Sequence, residues 1–156
     1  MDSQTIEKII KSTSVGQKYF QGCFAADKIP TKFPKYPIAL IVNEDKSNQY
    51  GSHWVSIFIK NLKYIYYFDS LGKEHSVPLI DKYLNRFQYC VKNKNSFQNI
   101  LNKTCGHYCI FFVILISLDI PFNVIINLLS NQTNPDLYVY NFVKCLYQIK
   151  SCNKYF

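Results

Sequence analysis

The sequence predicts an α+β fold in which a small, central mixed β-sheet is packed between an N-terminal region and a C-terminal helical layer. Short runs rich in β-branched and aromatic residues fill the middle of the chain, which is typical of strands. Longer apolar segments, interrupted by Pro121 and Pro135, fill the last third, which is typical of packed helices. No repeat or linker is visible, so we predict a single domain over residues 1–156.

Strands are predicted at four places. Residues 38–43 form one strand, and residues 54–60 and 64–68 form two more, which the turn 61–63 joins into a hairpin. A further short strand is predicted at residues 87–91, and the polar run that follows it is predicted to be a loop. The predicted helices cover residues 3–10, with Ser3 as the cap, and residues 76–85, 105–118, 122–129 and 136–149.

Composition and charge exclude several classes of protein. The 13 Tyr and 12 Phe exclude a disordered chain, and no uncharged apolar run approaches the roughly 18 residues that span a bilayer. The N-terminus lacks the layout of a secretory signal, so we expect an intracellular protein. The net charge of +8 permits non-specific attraction to DNA, but 17 of the 18 basic residues are Lys, and a codon bias contributes to that number.

Six cysteines are present, and no two of them form a CxxC pair, so free thiols are predicted rather than a disulfide framework. Three of them, Cys109, Cys145 and Cys152, are interpreted as packing residues. A thiol enzyme is one function that this composition allows.

His53 and Asp69 are predicted to be neighbours because the strands beside them form a hairpin. His53 stands at the start of one strand and Asp69 at the end of the next. A carboxylate there accepts a hydrogen bond from one ring nitrogen and stabilises imidazolium. Taken singly, His53 is also consistent with a hydrogen-bonded loop histidine and Asp69 with a carboxylate that caps a turn.

Cys105 is the candidate nucleophile. It opens the most apolar segment of the chain and is followed by Gly106, and the positive end of a helix dipole lowers the pKa of a thiol in that place. Gln98, seven residues earlier, can point an N–H at an oxyanion beside the backbone N–H of Cys105. Alone, Cys105 is equally consistent with a buried structural thiol, and Gln98 with a polar surface residue.

Two other classes of site are compatible with parts of the sequence. A zinc site from Cys105, His107, Cys109 and His53 has the right atoms, but positions i, i+2 and i+4 of one helix do not face the same way. A pure DNA-binding module would leave the arrangement of His, Asp, Gln and Cys unexplained. We therefore expect no metal, and we interpret His75 and His107 as structural.

The order of these residues resembles a known family. His53-Trp54, Phe68-Asp69-Ser70, Gln98 and Cys105-Gly106 together resemble the adenovirus proteinase (adenain) group of cysteine proteases, whose relatives include the SUMO-deconjugating proteases. The segment Tyr19-Phe20-Gln21-Gly22 is also similar to the adenain pattern. Asp69-Ser70 is closer to the SUMO-protease branch than the Glu-Pro of typical adenains, and the chain after Cys105 is shorter than in adenoviral enzymes.

The resemblance implies an adenain-like fold and a viral maturation endopeptidase that cleaves capsid or core precursors, with a preference for glycine next to the cut. Cys105 would attack, His53 would transfer protons, Asp69 would orient His53, and Gln98 would bind the oxyanion. A protease that removes ubiquitin-like or SUMO-like proteins from host conjugates is the alternative. The source implied is a virus or a virus-like element such as an adintovirus or polinton, with action in the virion and the host nucleus.

Cys90 is the remaining residue to which the resemblance gives a role. In adenoviral enzymes, a cysteine in a similar place joins a capsid-derived peptide that adds a strand to the sheet and, together with DNA, stimulates the enzyme. Cys90 would be that residue, at the end of a predicted edge strand. The alternative is a half-buried strand residue with no such role. The chemistry itself requires no cofactor, and a monomer is expected.

Overall fold

The structure, a computed structural model, describes residues 1–74 and 76–152, with side chains as far as residue 148. Six helices and five strands lie in these ranges. The helices are α1 (Ser3–Ile10), α2 (Ser14–Tyr19), α3 (Pro78–Leu84), α4 (Cys105–Ser117), α5 (Phe122–Ser130) and α6 (Pro135–Cys152). The strands are β1 (Phe20–Ala25), β2 (Ile38–Asn43), β3 (Trp54–Ile59), β4 (Tyr64–Phe68) and β5 (Tyr89–Lys92). Over the part of the chain described here, no helix is long and apolar enough to cross a membrane.

The five strands form one mixed sheet in the order β1-β2-β3-β4-β5. The central strands are antiparallel, with Ile38 opposite Ile59 and Ser56 opposite Phe68, while β1 and β5 add to the two edges in parallel. The predicted α+β class with a mixed sheet is therefore confirmed. The hairpin is also confirmed, since the Lys60 N–H donates to the Tyr64 carbonyl at 3.0 Å.

Helix α4 lies at the centre of the larger core. It is apolar on every side because it packs against the sheet and also against α1, α2, α5 and α6, so only its first turn is left to carry a polar site. The second core lies on the other face of the sheet, where α3 and the loop after β1 cover residues such as Leu40, Ile57 and Tyr67. The N-terminal third thus contributes to both faces.

Several element bounds differ from the predictions for identifiable reasons. Helix α3 begins at Pro78 rather than residue 76, because Pro occupies the first helical turn without losing a hydrogen bond. Asp2, not Ser3, caps α1, through an Oδ1 that accepts the Thr5 N–H at 2.8 Å. Strand β1 and helix α2 were not predicted, since β1 is interrupted by Gly22 at φ +139° and by an irregular register.

The cysteines interpreted as packing residues differ in their exposure to solvent. Cys109 is 1% exposed in the main core, as predicted. Cys145 is exposed on α6, so its interpretation as a packing residue was wrong: the surrounding apolar residues occupy the inward side of the helix, and position 145 faces outward. The side chain of Cys152 lies outside the described residues, as does His75.

Candidate active site

The β3–β4 hairpin brings His53 and Asp69 together. His53 directly precedes β3 and Asp69 directly follows β4, and because the strands are antiparallel these two ends meet at the same edge of the sheet. His53 Nε2 lies 2.6 Å from Asp69 Oδ1, and both side chains are buried. The prediction that His53 and Asp69 are neighbours is therefore confirmed. Because Nε2 faces Asp69, Nδ1 is the ring nitrogen that can contact another group.

Asp69 is held in its ionised form by the turn that follows it. Its carboxylate accepts the backbone N–H groups of Leu71 at 2.9 Å and Lys73 at 3.2 Å, in addition to His53. Burial alone would raise the pKa of this carboxyl group, but the hydrogen bonds from His53 and the two N–H groups outweigh burial and lower it. Asp69 therefore has both predicted roles: its carboxylate caps the turn that follows β4, and it also contacts His53.

Cys105 occupies the first position of α4, and its thiol interacts with His53. The backbone N–H groups of Trp54 and Gly106 also face the sulfur. Burial would raise the pKa of the thiol, but the hydrogen bond with His53 and the two N–H groups outweigh burial and lower the pKa below its ordinary value. At the next position, glycine lets Met1 pack closely against the first turn of α4, since a Cβ at position 106 would lie 3.2 Å from Met1 Cβ.

The pKa of His53 moves in the opposite direction. Burial would lower it, but the Asp69 carboxylate and the Cys105 sulfur outweigh burial and raise the pKa to about 9. A lowered thiol pKa beside a raised imidazole pKa favours a thiolate–imidazolium pair at neutral pH. This is the charge state that a cysteine nucleophile needs.

Gln98 enters the same cleft with its amide already oriented. Its Oε1 accepts the Ser70 hydroxyl at 2.7 Å, and its Nε2 donates to the Asn102 carbonyl at 2.6 Å. An amide nitrogen has two hydrogens, so the second N–H of Gln98 stays available to a ligand. Gln98 is only 8% exposed, so the alternative interpretation of Gln98 as a polar surface residue is wrong.

A cleft of about 380 Å³ joins these groups, and Trp54 stands at its wall. A second cavity of about 370 Å³ lies beyond Trp54, next to Asp45 and Tyr50. The indole N–H of Trp54 donates to the Met1 carbonyl at 3.0 Å, so Trp54 both packs on the core and separates the two cavities. A larger cavity, about 670 Å³, lies near the other end of α4, around Phe58 and Phe122. The cavity that contains His53 and Cys105 is therefore not the largest one described.

The remaining candidates lie elsewhere. Cys90 is exposed on β5, the edge strand, rather than half-buried. His107 is half-buried on α4, where its ring lies 5.5 Å from that of Tyr140 and its Nδ1 finds no partner among the described residues. Among the side chains that the structure describes, in residues 1–74 and 76–148, no three His, Cys, Asp or Glu meet in a group that could hold a metal ion.

Asn93 is the site residue that the sequence did not reveal. It is 5% exposed, just after β5, and its side chain brackets the backbone of Asp69: Oδ1 accepts the Asp69 N–H at 2.9 Å, and Nδ2 donates to the Asp69 carbonyl at 2.7 Å. The polar run 92–96 predicted only a loop. An asparagine directly after a strand was the one available signal, and it is too common to identify a role.

Comparison with known proteins places this site in a family. Residues 3–136 match the Ulp1 protease family, C-terminal catalytic domain, and this range contains His53, Asp69, Gln98 and Cys105. The chain belongs to the Ulp1 protease family. It is a cysteine peptidase domain, and the family resemblance drawn from the sequence is confirmed at this level.

A viral relative and two solved structures are similar to this domain. The candidate thiol protease R355 of Acanthamoeba polyphaga mimivirus is 37% identical over 61% of this chain and 35% of that protein. The ASFV pS273R protease aligns at a TM-score of 0.51 with 21% identity, over 72% of this chain and 44% of that one. The central domain of the uncharacterized Lpg1148 protein of Legionella pneumophila aligns at 0.55 with 11% identity, over 95% and 98% of the two chains. The two structures establish the fold only, and this chain spans about a third of the mimivirus protein.

Proposed function

We propose that this domain is a viral maturation cysteine endopeptidase that cleaves capsid or core precursor polypeptides at glycine-containing sites. The observation that carries the proposal is the chain of contacts from the buried Asp69 and His53 to the half-buried Cys105, which lies in a cleft at the start of α4. Membership of a protease family and the viral relative support it. The glycine preference rests on the family resemblance.

The proposed reaction begins at the sulfur. The Cys105 thiolate attacks the scissile carbonyl carbon, a C–S bond forms, and the carbonyl electron pair moves to the oxygen. When the tetrahedral intermediate collapses, the C–N bond breaks and the His53 Nδ1–H gives its proton to the leaving amine. Water, deprotonated by His53, then attacks the thioester and releases Cys105 as thiolate.

The transient oxyanion is proposed to bind the free N–H of Gln98 and the backbone N–H of Cys105. Both donors are fixed before the substrate arrives: the Gln98 amide by Ser70 and Asn102, and the Cys105 N–H by its place in the first turn of α4. Donors that need no reorganisation stabilise charge most effectively in a cleft that excludes water. Asp69 holds the His53 ring in the tautomer that presents Nδ1 to the sulfur.

The substrate is proposed to lie along the segment before His53, past the two cavities that Trp54 separates. Exposed apolar side chains stand on the rim, with Tyr50 beside the far cavity and Ile100 beside the near one. Apolar groups on a rim around a polar cleft are typical of surfaces that bind extended polypeptide.

The test is cleavage by the purified chain of a fluorogenic peptide with glycine before the leaving group. Cys105→Ala should abolish cleavage and leave the fold intact, because Ala is a good helix former. Cys145→Ala is the matched control, since Cys145 is exposed and distant in sequence from the site, and it should cleave at the wild-type rate. Cleavage by Cys105→Ala would overturn the proposal.

A deconjugating protease is the second candidate function, and the family match favours it. The two functions differ in substrate, because a deconjugating enzyme recognises a folded modifier whereas a maturation enzyme recognises an extended segment. The test is to measure kcat/KM for ubiquitin-type or SUMO-type fusions and kcat/KM for unfolded precursor-type peptides that carry the same glycine-containing cut site. A preference of about 100-fold or more for the fusions, equal to about 2.7 kcal/mol, would replace the maturation function with deconjugation.

Activation and location complete the proposal. The exposed position of Cys90 on an edge strand supports its role as the attachment point of an activating peptide, and the net charge of +8 supports attraction to DNA. We propose action as a monomer in the virion and the host nucleus, with no cofactor needed for the bond cleavage itself.

A further inference from the structure

The first turn of α6 reaches back to the segment between Gln98 and Cys105 through one carboxylate. Asp136 Oδ2 accepts the Asn99 N–H at 3.0 Å and the Asn102 side-chain amide at 2.8 Å, while Oδ1 accepts the Thr104 hydroxyl at 2.6 Å. Burial opposes ionisation of Asp136, but these three hydrogen bonds, together with an interaction with the Tyr108 hydroxyl, outweigh burial and lower its pKa. One charge therefore holds both ends of the turn that leads into the nucleophile.

The first consequence concerns Gln98. Its Nε2 donates to the Asn102 carbonyl at 2.6 Å, and Asn102 is in turn held by Asp136. The turn itself is closed by the Asn102 N–H, which donates to the Asn99 carbonyl at 2.9 Å. The direction of the Gln98 amide thus depends on a carboxylate that does not itself contact Gln98.

The second consequence concerns the start of α4. Thr104 is the N-cap residue, yet its side chain makes no capping hydrogen bond, although Thr is a common N-cap. Its hydroxyl donates to Asp136 instead. The Gly106 N–H, which a capping hydroxyl could have accepted, faces the Cys105 sulfur.

We propose that Asp136 is a positioning residue for the reaction proposed above: by holding Asn102 and Thr104, it aims the Gln98 amide at the oxyanion and leaves the first N–H groups of α4 free for the sulfur and the oxyanion. The inference rests on the proposed function. It assigns to α6, the element farthest along the chain, a part in a site whose other members lie just before β3, just after β4, in the segment before α4 and at the start of α4.

The experiment is steady-state kinetics of Asp136→Asn on the fluorogenic glycine peptide. An amide offers one acceptor oxygen where the carboxylate accepts three donors, so at least one bond to the turn is lost. We expect kcat to fall about 10- to 100-fold with KM within about twofold, because the lost interaction acts only in the transition state. Asp119→Asn, the same change near the far end of α4, is the control and should match wild type.

The double variant Asp136→Asn/Gln98→Ala tests whether the two residues act together. If Asp136 works through Gln98, the combined loss in kcat should be smaller than the product of the single losses. A loss equal to the product would overturn the proposal. So would a variant whose melting temperature falls while kcat per folded molecule stays at the wild-type value, since that result describes a purely structural hydrogen bond.

A measurement without substrate keeps this proposal separate from the proposed function. The rate of Cys105 alkylation by iodoacetamide is followed against pH in wild type and Asp136→Asn, with His53, Asp69 and Lys103, the other charged groups around the cleft, unchanged. If Thr104 is released and caps α4, the midpoint should rise by about one pH unit, because the sulfur loses an N–H donor. Removal of a distant negative charge alone would move the midpoint down, so a lower or unchanged midpoint overturns the proposal even if the chain cleaves no peptide.

Discussion

The protonation states of two residues, Cys105 and His53, govern the proposed chemistry at the smallest scale. Each lowers the free energy of the other's charged form, which is why the thiol pKa falls while the imidazole pKa rises to about 9. None of the other cysteines with a resolved shift shares this setting. Burial raises the pKa of Cys23 to about 12 and raises that of Cys109 well above its ordinary value.

Selective alkylation follows from that contrast. At about pH 6.5, iodoacetamide should modify Cys105 before the exposed Cys90 and Cys145, because thiolate and not exposure sets the rate. Labelled peptides identified by mass spectrometry provide the measurement. In His53→Ala the selectivity should disappear, since the thiolate loses its main partner. First labelling of Cys109 or Cys145 in the wild-type chain would contradict the assignment of the nucleophile.

A second prediction at the residue scale concerns the oxyanion donor. Gln98→Ala should lower kcat roughly 10- to 1000-fold with little change in KM, because its free N–H binds charge that exists only in the transition state. Ser70→Ala should cause a smaller loss of the same kind, since Ser70 only orients the amide. Gln132→Ala is the control, because Gln132 lies just after α5 and its side-chain amide donates to the Leu128 carbonyl at 2.9 Å. Unaltered kcat in Gln98→Ala would remove this role.

Residue positions were predictable where a regular element fixes them. His53 and Asp69 were placed together from the hairpin alone, because antiparallel strands of known ends determine which residues meet. The position of Cys105 was predictable because the most apolar segment of the chain begins there, which marks the start of a helix. Asn93 and Asp136 were not predictable, since each acts through hydrogen bonds to loop backbone or loop side chains, and loop conformation has no periodic signature in the sequence.

At the scale of elements, the loop after β5 supports the end of β4. Asn93 replaces the missing strand partner of Asp69 by pairing with both its N–H and its carbonyl group. In the parallel pairing of β4 with β5, Tyr67 lies opposite Lys92, so Asn93 lies beside the end of β4, within reach of the Asp69 backbone. The edge strand therefore contributes to the site, although none of its side chains touches the nucleophile.

Asn93→Ala tests this support. The change leaves two buried backbone groups of Asp69 without partners, so the free energy of unfolding should fall by about 1–3 kcal/mol, measured by urea denaturation. The Asp69 carboxylate should also lose its fixed direction, so kcat should fall. Asn95→Ala is the control, because only the backbone carbonyl of Asn95 contacts Asn93. A loss of stability with kcat intact would limit Asn93 to a structural role.

Strand β1 was not predicted because it depends on contacts that are distant in the sequence. Strand β1 pairs in parallel with β2, and its register shifts between Phe20 and Gly22. A strand of this kind depends on contacts distant in sequence, among them the Glu7 carboxylate that accepts the Cys23 N–H at 3.0 Å. Tertiary contacts of that type override the local pattern, whereas β2, buried along its whole length, was predicted with its observed ends.

At the scale of the whole molecule, the open edge at β5 is the surface most suited to another chain. Its side chains Tyr89, Cys90 and Val91 are exposed, and its outer backbone groups have no strand beside them among the described residues. An added strand there would lie next to the strand that supports Asp69 through Asn93. An activating peptide bound at this edge could thereby act on the site without entering the cleft.

The last prediction tests that activation together with the proposed role of DNA. If it holds, the isolated chain should be weakly active, and a Cys-containing virion peptide and DNA should each raise kcat/KM, with the DNA effect falling steeply as salt rises. Neighbouring protein atoms desolvate the Cys90 thiol and raise its pKa although the side chain is exposed, so covalent capture of the peptide should be slow at neutral pH and faster at higher pH. Cys90→Ser should lose that capture, whereas Cys145→Ser, which removes another exposed thiol, should retain it. Full activity of the isolated chain, unchanged by peptide, by DNA or by Cys90→Ser, would remove the activation proposal and leave the assignment of Cys105, His53 and Asp69 intact, because the thiolate–imidazolium pair forms without any contact to β5.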